Sequence, residues 1–97
     1  MEVVIMKVQL TRPTPLRRNP TWELSRQLVP HPDSTYLINI EGRRSRWGIM
    51  VVDREAVPGD GAVLLCSSPR GFSLKRWHRG DGLDNLWGVV TWLVRRP

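Results

Sequence analysis

Arginine and tryptophan are the residues whose types and spacing point first to chemistry. Thirteen of the fifteen basic residues are arginines, and the formal net charge is +6. They gather at Arg17-Arg18, Arg43-Arg44-Arg46, Arg76-Arg79 and Arg95-Arg96. A guanidinium fork takes a phosphate in two hydrogen bonds, and an indole ring offers a face on which a base can stack. With Trp47 and Trp77 interleaved, Arg43, Arg44, Arg46 and Arg76 are the candidate contacts to a single-stranded nucleic acid. Such binding would be blind to sequence and weakened by salt. The clusters are also scattered along the chain, as on a basic solvated surface.

Other reactive side chains are few. Cys66 is the only cysteine, so it can form no internal disulfide, and at the end of the apolar run Ala62 to Leu65 it reads as a small buried side chain. His31 and His78 are the only histidines and have no neighbouring ligands at metal-binding spacing, so no metal and no cofactor are expected. The first residues lack a basic leader followed by a cleavage site, and no run approaches the ~20 apolar residues of a membrane span. A cytoplasmic location and no membrane partner are therefore expected.

The elements that must position these residues are mostly strands. The 97 residues suit one small domain with a thin core, to which the five tryptophans contribute large buried areas. Residues 1–20 form an N-terminal arm that begins as a strand, because Val4, Met6, Val8 and Leu10 alternate. Asn19-Pro20 can cap a short helix in which Leu24 and Leu28 share a face. After a turn at His31-Pro32-Asp33-Ser34, Tyr36, Ile38 and Ile40 point one way from the next strand, and Asn39 and Glu41 the other. Turn clusters at Pro58-Gly59-Asp60-Gly61 and at Ser67 to Gly71 flank a strand at Ala62 to Cys66, so Met50 to Trp77 reads as a three-stranded meander. In the strand Phe72 to Trp77, Phe72 and Leu74 share one face and Ser73 and Lys75 the other. The fold class is mainly β, with one short helix.

Five segments carry a resemblance. They are TWELSRQLVPHPDSTYLINIEG (Thr21 to Gly42), IMVVDR (Ile49 to Arg54), PGDGAVLL (Pro58 to Leu65), GFSLKRW (Gly71 to Trp77) and LWGVVTWLV (Leu86 to Val94). Over residues 21–94 the chain resembles the UmuD branch of the LexA/UmuD family, SOS-response proteins that share a β-rich domain with a serine-lysine peptidase dyad. The resemblance puts Lys75 at the family's catalytic lysine. A desolvated lysine there would have a depressed pKa and could act as a general base, whereas in an open cleft it would be an ordinary solvated lysine.

The chain departs from the family at the nucleophile. The family has Gly-Asp-Ser-Met after this strand, and here Gly42 is followed by Arg43, Arg44, Ser45 and Arg46. Ser45 comes one place late, which on a strand turns a side chain to the other face. The family also cleaves an Ala-Gly or Cys-Gly bond in an N-terminal arm, whereas the first glycine here is Gly42. The hairpin that the family inserts after the lysine strand is also shortened.

The resemblance thus implies a domain that has lost self-cleavage and serves as an accessory in SOS mutagenesis and translesion DNA synthesis. Its implied partners are a Y-family polymerase and the RecA filament. Two alternatives stand beside it: an active autopeptidase using Ser45 and Lys75, and a nucleic-acid-binding protein on the same scaffold.

The segment Leu86 to Val94 is apolar on both faces, with Leu86, Gly88, Val90, Trp92 and Val94 on one and Trp87, Val89, Thr91 and Leu93 on the other. A strand of that kind expects cover from two directions. As an apolar edge near the chain terminus it is expected to pair with a second copy of itself, with Trp87, Val90, Trp92 and Val94 in the interface of a homodimer.

Overall fold

A computed structural model of the chain describes residues 9–16, 29–41 and 47–95. It is mainly β. The strands are β1 (Gln9–Leu10), β2 (Thr14–Pro15), β3 (Thr35–Glu41), β4 (Trp47–Asp53), β5 (Val63–Ser68), β6 (Gly71–Arg76) and β7 (Leu86–Arg95). All described pairings are antiparallel, and the sheet order is β1-β3-β4-β7-β5-β6, with β2 also on β3. The expected strand over residues 1–8 and the helix with Leu24 and Leu28 lie outside the described residues.

β1 and β2 line the same edge of β3 as one interrupted strand. Gln9 pairs with Glu41 and Leu10 with Ile40, whereas Thr14 pairs with Leu37 and Pro15 with Tyr36, a slip of one residue in register. Arg12 and Pro13 fall in the break, where proline's missing N–H interrupts no ladder. Thr11 holds the break, its N–H donating to Asn39 O at 3.0 Å and its Oγ1 accepting from Asn39 N at 3.1 Å.

The expected meander is not formed. β5 and β6 make a hairpin turning at Pro69-Arg70, but β7 is inserted between β4 and β5. The reason lies in its two apolar faces. A strand that needs cover on both sides gains most in the middle of the sheet, so β7 displaces the sequence neighbour β5 from β4. β7 is therefore not an edge strand over its inner half, contrary to the expectation from its terminal position.

Strict alternation along β7 also fails. Val51 pairs with Trp92 and Val52 with Val90, leaving Thr91 as an extra residue whose Oγ1 donates to Val51 O at 3.3 Å. A bulge inverts the facing of every residue beyond it. Val90 and Leu93 consequently pack on the same cluster, while Trp92 and Val94 go to the other face and stay exposed.

The alternation of β3 and β6 does hold. Ile38, Ile40, Met50, Val52, Leu65 and Leu74 are buried as one cluster, flanked by Leu10, Val63, Phe72, Trp87, Val90 and Leu93. Each large apolar side chain so buried contributes about 2 kcal/mol. On the opposite face Leu64, Cys66 and Val89 are buried beneath Ala56, Ala62, Trp77 and Leu86. β4 and β7 approach closely at Gly88, where a Cβ would lie 2.5 Å from Val52 Cγ1. Among the described residues, no helix is long and apolar enough to cross a membrane.

Candidate functional site

One rung crosses five strands. Thr35 pairs with Asp53, Asp53 with Val89, Val89 with Leu64, and Leu64 with Lys75. Directly paired residues share a face, so Asp53 and Lys75 lie on one side of the sheet with two strands between them, roughly 14 Å apart. Leu64 and Val89 fill the interval and are buried.

On β4 this rung carries an acid buried to 2% exposure. Asp53 ends its strand, and its Oδ1 accepts from Glu55 N at 2.8 Å and Ala56 N at 3.1 Å. This turn chemistry is what short acids favour at a strand exit. The other oxygen, Oδ2, lies 2.7 Å from His31 Nδ1. A carboxylate acceptor assigns the proton to Nδ1, and the His31 side chain is 41% exposed. The hydrogen bond to Asp53 raises the His31 pKa above its ordinary 6.5; burial opposes this, and the charges of Asp53 and Glu55 add to it.

The backbone that carries His31 is held in turn. Pro32 opens a 3-10 turn, Pro32–Ser34, with φ set in advance. Thr35 Oγ1 donates to His31 O at 2.6 Å, and Ser34 Oγ donates to Glu55 Oε2 at 2.5 Å. Arg54 N donates to Ser34 O at 2.9 Å. The turn before β3 is thereby clasped to the segment after β4.

Beside this clasp lies an arginine on aromatic rings. The Arg54 guanidinium carbon stands 4.2 Å from the Trp87 ring centroid, and its Nε donates to Trp87 O at 2.9 Å. Trp87 meets Tyr36 edge to face at 5.2 Å and Phe72 at 5.5 Å. Asp33, Ser34, Tyr36, Arg54, Leu86 and Trp87 line an open cleft of about 350 Å³.

The residues singled out in the sequence are dispersed. Ser45, Arg43, Arg44 and Arg46 lie outside the described residues. Lys75 is half-buried on the face opposite Leu74, and its charge lowers the Cys66 thiol pKa against a larger upward push from burial. The Arg76 Nη1 donates to Gly61 O at 2.9 Å. Trp87 and Val90 pack on the main cluster, while Trp92 is 56% and Val94 46% exposed. His78 Nδ1 is 3.8 Å from Asp60 Oδ1, and among the described residues no group of three or more His, Cys, Asp or Glu side chains is arranged to hold a metal ion.

Sequence reasoning missed His31, Asp53 and Arg54. One signal was present: Asp53 directly continues the apolar run Ile49 to Val52, and an acid on a buried strand must find partners. The fold and site define an antiparallel β protein with a histidine-aspartate clasp and an arginine-aromatic cleft. No family model, no curated protein and no solved structure matches the chain.

Proposed function

We propose that the chain is a UmuD-like, non-cleaving binding module that acts as a homodimer in the SOS response, as an accessory to translesion DNA synthesis. Its partners in that reading are a Y-family polymerase and the RecA filament. The described parts of the segments that carry the resemblance run through β3 to β7 of one sheet, with Lys75 on β6.

The observation that carries the reading is the outer half of β7. β5 pairs with β7 only as far as Val63 with Val90. Beyond that, Thr91 to Val94 have β4 on one edge and no described strand on the other. Trp92 and Val94 are exposed beside this edge. An apolar edge of that kind is a template for another strand. Antiparallel self-pairing about a two-fold axis at Leu93 would put Trp92 opposite Val94 of the partner subunit, an aromatic and β-branched pair.

Sedimentation tests the dimer, and co-purification with a Y-family polymerase tests the role. Wild type is expected to sediment as a dimer at micromolar concentration and Trp92→Glu as a folded monomer that no longer retains the polymerase. A wild-type monomer that also fails to bind polymerase refutes the reading.

A further inference from the structure

The geometry points to the cleft between Arg54, Tyr36 and Leu86 as a binding site for an oxyanion, a carboxylate or a phosphate monoester, on a small molecule. The site is independent of the β7 edge.

Three observations converge on that ligand. First, Arg54 is preorganised. Its Nε is committed to Trp87 O at 2.9 Å, and Trp87 supports the guanidinium plane from 4.2 Å. With Nε taken, the side-on fork is closed, and the end-on pair Nη1 and Nη2 remains to grip two oxygens of one anion. Both terminal nitrogens are without a partner among the described residues. An arginine already fixed by stacking and by one hydrogen bond loses little freedom on binding.

Second, Tyr36 lines the same cleft, its ring is fixed against Trp87 at 5.2 Å, and its hydroxyl has no hydrogen bond within the described residues. It offers a further donor to an oxyanion held by Arg54.

Third, the lining of the cleft is mostly polar, with Leu86 and Trp87 as its apolar part, and its volume of about 350 Å³ lies at the lower end for small-ligand sites. That size suits one ring or one side chain rather than a long polymer. Asp33 in the lining and Glu55, bonded to the lining residue Ser34, add negative charge at the cleft, which opposes the accumulated charge of an extended nucleic acid more than that of one compact anion.

Titration of the full chain with phenyl phosphate, benzoate and neutral phenol, followed by amide and indole NMR shifts and by tryptophan fluorescence, tests this. Saturable changes centred on Arg54 Nε–H and the Trp87 indole are expected with at least one of the two anions and not with phenol, and the tighter anion identifies the head group. Arg54→Gln is expected to weaken binding about tenfold or more, Arg54→Lys to recover only part of it, and Tyr36→Phe to weaken it about threefold. Absence of saturation with both anions, equal binding of phenol, or unchanged affinity in Arg54→Gln overturns the proposal. If Arg54→Gln does not fold, Tyr36→Phe decides: unchanged affinity in that variant overturns it.

Discussion

His31 Nδ1 and Asp53 Oδ2 are 2.7 Å apart, joining a turn before β3 to the last residue of β4 across 22 positions of sequence. Asp53 is 2% exposed, and protein donors occupy both of its carboxylate oxygens.

The histidine makes this clasp sensitive to pH. The His31 pKa is raised above 6.5, chiefly by the hydrogen bond to Asp53, so its contribution to stability is full below 6.5 and is lost as pH climbs through the higher folded-state value. The urea midpoint is expected to fall over that window and to become flat across it in His31→Asn.

Removing the acid should cost more than removing the histidine. Asp53→Ala leaves the Glu55 and Ala56 amides and the His31 ring without their acceptor at a part-buried site, at about 1 to 3 kcal/mol. A loss under about 0.5 kcal/mol in urea unfolding would contradict this account.

Gly88 is set by contact between strands. A methyl there would meet Val52 Cγ1 at 2.5 Å and Asp53 O at 3.3 Å, and a β-branched neighbour has little room to turn away. Gly88→Ala should destabilise by about 1 to 3 kcal/mol, and combining it with Val52→Ala should cost less than the sum of the two changes.

Asn85 enters β7 with φ 61°. Asparagine tolerates the left-handed region and valine does not. Asn85→Val is expected to lose about 1 to 2 kcal/mol in thermal or urea unfolding, and Asn85→Gly to stay near wild type.

Affinity for single-stranded DNA, where measured, should be electrostatic. With about four phosphates neutralised, log affinity should fall against log salt with a slope of roughly −3 to −4. Arg76→Gln should change loop stability more than this slope, because its guanidinium holds Gly61 O. Sequence-selective binding that survives high salt would exclude this behaviour.

The sequence by itself determined the elements. Alternation at Tyr36, Ile38 and Ile40 and at Phe72 and Leu74 fixes which faces are buried, because side chains on a strand repeat every two residues. Turn residues fix the hairpin of β5 and β6, and the doubly apolar β7 announces a strand that needs cover on both faces. The order of strands was not legible. Pairing β7 between β4 and β5 depends on contacts between residues such as Val52 and Val90, 38 positions apart, which no local pattern encodes. The bulge at Thr91 is likewise a product of register, and it alone turns Trp92 and Val94 away from the main core. Nor was the site legible, since His31, Asp53, Arg54 and Trp87 come from three separate stretches. Only the closing of β3, β4 and β7 into one sheet brings the imidazole to the carboxylate and the guanidinium to the indole.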